Sequence, residues 1–156
     1  MSASEMSSVS HLCPEVDGDR FACTDASADP STIALIRDEF ARWLRGGAAL
    51  DEARACDMVL ALNEALSNSA EFAYLEGGDG TIDVEAVRDP GRHILSVTVT
   101  DRGHWREANP LNRQRRRGRG IPLMRTLADS VVIDTSGVGT TVRLRFDRVT
   151  LEFPAH

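Results

Sequence analysis

Between Thr81 and Asp101 the chain alternates apolar and polar residues twice over, and no other stretch restricts the fold as much. Ile82, Val84 and Ala86 alternate with Thr81, Asp83 and Glu85, and Leu95, Val97 and Val99 share one face of the segment HILSVTVTD. A period of two is that of a strand with one face buried. Asp89-Pro90-Gly91 supplies the turn between the two strands, so the segment predicts a hairpin. Asp101 has the parity of Leu95, Val97 and Val99 and therefore continues the apolar face at the strand's end. A carboxylate emerging there needs a partner, because burying it unpaired is costly. A ligand is one such partner; a nearby arginine or backbone N–H is the structural alternative.

The residues ahead of the hairpin read as helices. Asp29-Pro30-Ser31 is a helix start, and from Thr32 to Arg45 the residues Ile33, Ile36, Phe40 and Leu44 recur at amphipathic spacing, with Trp43 near the end. Gly46-Gly47 stops this helix. Asp51 caps a second, longer one that ends before Glu76-Gly77-Gly78, with Met58, Leu62, Ala65 and Leu66 as its core residues. Its stretch LALNEALSNSAEFAY, Leu60 to Tyr74, contains no Gly or Pro and places Glu64 and Asn68 one turn apart on the same side. A carboxylate and a carboxamide stacked this way can hold a hard cation through oxygen, or orient a water or hydroxyl. The plainer alternative is a polar pair on a solvated helix face. Arg20–Thr24 reads as a short first strand with Phe21 and Cys23 on one face.

Residues 102–119, RGHWREANPLNRQRRRGR, break every pattern and form a long polar loop, with five arginines between Arg113 and Arg119. Such a run is a solvated loop, a grip for phosphate or a nucleic-acid contact; a sequence pI near 5.2 weighs against direct DNA binding. Gly118-Arg119-Gly120 leads into IPLMRTLAD, a short helix with Pro122 in its first turn and Leu123, Met124, Leu127 and Ala128 toward the core. Backbone N–H groups at such a glycine-led start favour an anion. Strands Val131–Thr135 and Thr140–Phe146 follow, joined by Ser136-Gly137-Val138-Gly139. Val142, Leu144 and Phe146 face inward, and Thr140 shares their parity as Asp101 shares that of its own strand.

At 156 residues and 42% apolar composition the chain has the size and make-up of one globular domain. Residues 1–29 carry six acids against Arg20, most of the net charge of −6. Residues 1–19 are read as a disordered acidic tail, 20–150 as the domain and 151–156 as a C-terminal tail. No apolar run approaches the roughly 20 residues of a membrane span, and the first residues lack a basic segment followed by an apolar one, so a cytoplasmic protein without membrane attachment is expected. Three cysteines, Cys13, Cys23 and Cys56, close no disulfide framework, and the spacing of His11, Cys13 and Cys23 fits no common zinc pattern. All 18 basic residues are arginine. Any grip on phosphate therefore falls to arginine, backbone N–H groups or a metal.

In order, the chain carries E-x-x-x-N (Glu64, Asn68), D-x-G at a strand end (Asp101, Gly103), a long loop, G-x-G before a helix (Gly118, Gly120) and G-T-T opening a strand (Gly139, Thr140, Thr141). This order resembles the Bergerat-fold ATPases shared by histidine kinases and gyrase. Over residues 20–147 the phrase GRGIPLMRTLAD…GTTVRLR looks most like the anti-sigma factor serine kinases of the RsbW and SpoIIAB type. The resemblance implies an α+β, two-layer α/β sandwich: a mixed, mainly antiparallel sheet covered on one face by helices, with ATP held between helices and loop. It implies that Asn68 coordinates the Mg²⁺ bridging the phosphates and that Glu64 is the general base on an incoming serine hydroxyl. Asp101 would accept from the adenine amino group with Thr140 in support, and Gly103 would let the base approach. The backbone around Gly118 and Gly120 would hold phosphates, with Arg117 and Arg119 of the loop standing in for the absent lysine. The implied partners are a STAS-domain anti-anti-sigma factor, phosphorylated on serine, and a sigma factor sequestered by the nucleotide-bound protein, in transcription regulation and stress response; relatives are commonly homodimers. Two departures, Phe72 where many relatives have histidine and Trp105 where a second glycine is expected, point to the alternative of a catalytically weak or inactive partner-binding module.

Overall fold

The computed structural model describes residues 14–46, 51–75, 80–101, 121–136 and 139–149, with the backbone alone for 71–75 and 136. Its elements, in chain order, are strands β1 (Glu15–Val16) and β2 (Arg20–Ser27), helices α1 (Pro30–Arg45) and α2 (Glu52–Leu75), strands β3 (Thr81–Asp89) and β4 (Ile94–Asp101), helical residues 121–127 as α3, and strands β5 (Ser130–Ser136) and β6 (Gly139–Phe146). The strands form one sheet in the order β1-β2-β3-β4-β6-β5. A mixed, mainly antiparallel sheet is the sequence expectation; among the described residues every pairing is antiparallel. The α+β architecture is as expected, with helices packed on one face of the sheet.

Helix α1 starts at Asp29, whose backbone is extended (φ −115°, ψ 158°) and whose Oδ1 accepts the Thr32 N–H at 2.8 Å. The hydroxyls of Ser31 and Thr32 donate to the same carboxylate at 2.8 and 3.0 Å. Pro30 at the first helical position gives up a donor that would have had no partner in any case. At the far end the Gly46 N–H donates to Arg42 and Trp43 carbonyls at 3.1 and 3.3 Å. Gly46 does so with φ −68°, so this cap uses no left-handed backbone.

The inward side of α1 buries Ile33, Ile36, Phe40, Trp43 and Leu44. Phe40 meets Phe21 of β2 edge-on at 5.7 Å between ring centroids, and Trp43 lies 6.0 Å from both. Burying one such ring contributes about 1.5–3 kcal/mol, and aromatic pairs add about 0.5–1.5 kcal/mol more. The Trp43 indole N–H donates to the Asp17 carbonyl at 2.8 Å. That bond pins the turn between β1 and β2, so the sheet begins inside the stretch that composition alone assigns to a disordered tail.

Strand β2 runs past the Thr24 limit read from sequence, through a bulge between Cys23 and Ala26. Asp25 takes φ 55° there, and its N–H donates to Asp83 Oδ1 at 2.8 Å. The bulge absorbs the extra residue and returns Ala26 to the buried face. Beneath α1, burial pushes the Cys23 thiol up to about 11, and the charge of Glu39 adds to the rise. Cys56, on α2, is exposed.

Helix α2 lies along the sheet on Met58, Ala61, Leu62, Ala65, Leu66 and Ala70, all buried. Alanine at two successive turns permits a close approach to the strands. Near its start, Arg54 Nη2 donates to Asp129 Oδ2 at 2.8 Å and to the Asp147 carbonyl at 2.9 Å, with its guanidinium 5.7 Å from the Phe146 ring centroid. Asp129 Oδ2 also accepts the Asp147 N–H at 2.8 Å. This joint ties α2 to the segment after α3 and to the end of β6. Among the described residues no helix is long and apolar enough to cross a membrane.

Two measurements test these local accounts. Asp29→Ala removes the cap and should cost about 1 kcal/mol, a fall of about 2–4 °C in Tm; an unchanged Tm would refute the capping role. The Asp147 N–H, and after it Arg54, hold the Asp129 carboxyl below the usual carboxylate range. A depressed folded-state pKa contributes stability above the unfolded value of about 3.9 and loses it as pH falls through the lower folded value. Between pH 5 and pH 2, Tm should therefore fall less in Asp129→Asn than in the wild type. Equal falls would contradict the assignment.

Candidate functional site

The parity of β4 carries Asp101 to the core face of the sheet, where it is 2% exposed. Register places it opposite Ile82 of β3 on one side and Thr140 of β6 on the other. A carboxylate and a hydroxyl thus stand side by side at one end of an otherwise apolar surface. Thr140 Oγ1 is buried and meets no hydrogen-bond partner among the described residues. An orphaned buried hydroxyl costs about 1–3 kcal/mol, so its presence points to a partner beyond the described residues.

Over this pair lies a cleft that holds about 350 Å³ of atom-free space, part of it open solvent. Asn68 and Ser69 of α2, Asp101, Ile121 and Met124 of α3, Ile133 of β5, Thr140 and Val142 line it. Apolar walls with a few convergent polar groups suit a flat heterocyclic ligand that presents hydrogen-bonding atoms along one edge.

Of the residues predicted from sequence, the structure therefore brings Asn68, Asp101 and Thr140 into one cleft. Glu64 is half-buried one turn before Asn68 and does not line that cleft. Gly103, Arg117, Gly118, Arg119 and Gly120 lie outside the described residues, as do Trp105 and the side chain of Phe72. Met124 and Ala128 are buried as expected from the helical pattern, whereas Leu123 and Leu127 are half-buried. Ser69, Ile121 and Ile133 are lining residues that sequence reasoning missed. For Ser69 a signal existed: it continues the buried Ala61 and Ala65 at the next turn, where a hydroxyl replaces a methyl.

Among the described residues no group of three or more His, Cys, Asp or Glu is placed to hold a metal. His11 and Cys13 lie outside those residues, and Cys23 is buried under α1. The donor set at the cleft is oxygen-rich and small, which fits a hard cation completed by ligand oxygens and water better than an all-protein cage.

Thr140→Val tests the orphaned hydroxyl. Replacing it by a methyl of the same shape should stabilise the ligand-free protein by about 1 kcal/mol, a rise of about 2–4 °C in Tm. A lower Tm would mean that the hydroxyl has a partner within the fold.

The model of the histidine kinase-like ATPase domain family matches residues 26–146. No curated protein matches the chain. A crystal structure of the RsbU and RsbW domains of Rv1364c from Mycobacterium tuberculosis superposes with a TM-score of 0.65 at 24% identity, covering 88% of this chain and 34% of that one. The chain thus spans about a third of the length of that solved chain, and the likeness is one of fold. With the family model extending from the end of β2 to the end of β6, and so across every element that lines the cleft, the chain belongs to the histidine kinase-like ATPase domain family.

Proposed function

We propose that this protein is an ATP-dependent protein-serine kinase of the RsbW anti-sigma type. It phosphorylates a STAS-domain anti-anti-sigma factor in the cytoplasm and sequesters a sigma factor when nucleotide is bound. The observation that carries this reading is the buried Asp101 beside the orphaned Thr140 hydroxyl, in a cleft that Asn68 also lines.

Asp101 accepts from the exocyclic amino group of adenine, and Thr140 Oγ1 gains a partner that the described residues do not supply. The apolar side chains of Ile121, Met124, Ile133 and Val142 cover the faces of the ring. Gly103 leaves room for the base. Asn68 would hold Mg²⁺, which would supply charge neutralisation at the phosphates. The backbone at Gly118 and Gly120 with the side chains of Arg117 and Arg119 grips the phosphate oxygens.

Glu64, one turn from Asn68, takes the proton of the incoming serine hydroxyl. The serine oxygen then bonds to the γ-phosphorus as the bond from that phosphorus to the β–γ bridging oxygen breaks, and ADP leaves with the electron pair. Positioning and charge stabilisation, rather than covalent chemistry by the protein, do most of what phosphoryl transfer requires.

The position of Glu64 outside the described cleft, together with Phe72 and Trp105, favours a second reading: a module that binds nucleotide and partners without transfer. Calorimetry with Mg·ATP tests the shared premise. Wild-type protein should bind saturably, Asp101→Asn should abolish binding and Asn68→Ala should weaken it. No binding at millimolar ATP would overturn both nucleotide-based readings. Labelled-phosphate transfer to a STAS-domain protein separates them. Glu64→Ala should retain ATP binding while transfer falls about 10²–10⁴-fold. Wild-type protein that binds ATP and transfers nothing establishes the binding module instead.

A further inference from the structure

Three segments far apart in sequence meet on two atoms near the start of α2. Arg54 Nη2 donates to Asp129 Oδ2 at 2.8 Å and to the Asp147 carbonyl at 2.9 Å. The same Asp129 oxygen accepts the Asp147 N–H at 2.8 Å. The fully buried ring of Phe146 lies with its centroid 5.7 Å from the guanidinium. Arg54 belongs to the first turn of α2, Asp129 follows α3 and Asp147 follows β6.

Stability alone accounts poorly for this joint. The Arg54 and Asp129 side chains are 29% and 32% exposed, and ion pairs so open to water contribute little. Their place in the fold says more. Phe146 ends the inward row of β6 that Thr140 begins, six residues and roughly 20 Å away. Asn68 stands 14 residues beyond Arg54, roughly 21 Å along the helix. Since α2 packs on β6, joint and cleft occupy opposite ends of one packed pair.

Helix α3 needs an anchor of this kind. Residues 121–127 make about two turns, too few to persist on their own hydrogen bonds. Ile121 and Met124 line the cleft, the Ala128 N–H donates to the Met124 carbonyl at 2.9 Å, and Asp129 follows at once. The Asp129 N–H ties the chain to the sheet through the Arg145 carbonyl at 2.9 Å, whereas its carboxylate ties it to α2.

We propose that Arg54 is a positioning residue of the cleft: it holds the end of α3 to the start of α2 and so sets how far apart the two helical walls stand. On the nucleotide reading, on which this role rests, that distance decides how closely Ile121 and Met124 cover a ligand that Asn68 meets from the other wall. Arginine suits the task, because one nitrogen of its fork reaches carboxylate and carbonyl together while the group lies over a ring. The competing role is purely structural. Loss of the joint would then lower Tm and leave the affinity of the folded protein untouched.

Calorimetry with Mg·ATP on the full chain, well below Tm, decides between these roles. Arg54→Met keeps an apolar stem, removes the donors and should weaken binding about three- to tenfold. Asp129→Asn should also weaken binding, and the double variant should lose no more than Arg54→Met alone, because both changes break one joint. Arg54→Lys keeps the charge toward Asp129 and should fall between Arg54→Met and the wild type. Asp29→Ala, destabilised at the cap of α1 instead, should bind within about twofold of the wild type. Unchanged affinity in Arg54→Met, losses that add in the double variant, or an equal loss in Asp29→Ala overturns the role of Arg54 and leaves the nucleotide reading standing. Should Arg54→Met fail to fold by far-ultraviolet circular dichroism, Arg54→Lys and Asp129→Asn carry the same comparison. If the wild type binds no ATP, both readings fall.

Discussion

The register between β4 and β6 is the constraint on which the site depends. Leu95 opposes Phe146, Val97 opposes Leu144 and Val99 opposes Val142, so three successive apolar pairs build the core face. The next pair in the same row is Asp101 and Thr140. A slip of one residue in either strand would turn its apolar side chains to the open face and bring the half-buried Thr100 or Thr141 inward. The burial that stabilises the sheet thereby also sets two polar groups side by side at its end.

Helix α2 completes the arrangement because the same row of small residues serves packing and the cleft. Ala61 and Ala65 bring the helix close to the strands, and that closeness places Asn68 and Ser69 over Asp101 rather than beyond its reach. At the opposite end, Arg54 fixes the helix to Asp129 and to the Asp147 carbonyl. Asp129 directly follows Ala128, whose N–H donates to the carbonyl of the cleft-lining Met124. The two helical walls of the cleft are therefore joined at Arg54, 14 residues before Asn68 along α2.

Most of this layout was legible in the sequence because burial writes itself in periods. The parity of Asp101 and Thr140 follows from strict alternation, and Glu64 and Asn68 share a helix side by their spacing of four. What was illegible depended on contacts distant in sequence. Strand β1 has only two residues, too few for any period, and the turn after it is held by Trp43 from another element. The bulge at Asp25 carries no glycine to announce it; Asp83, on the neighbouring strand, secures it. The mainly antiparallel sheet that the resemblance implies is antiparallel at every pairing of the described residues. Ser69 escaped notice because a serine beside a conspicuous asparagine resembles helix filler until the sheet beneath it is known.

The contrast between the two cysteines of the described fold gives the molecule a built-in reporter. Cys56 is exposed and available to a thiol reagent at once. Cys23 is shut beneath α1 with its thiol held protonated by burial, and the thiolate is the reactive form. Its labelling rate in otherwise native conditions is accordingly the rate at which the α1–β2 layer opens, scaled by intrinsic thiol chemistry. The protein thus carries an internal clock for the breathing of its aromatic core, which a thiol reagent reads without any engineered site.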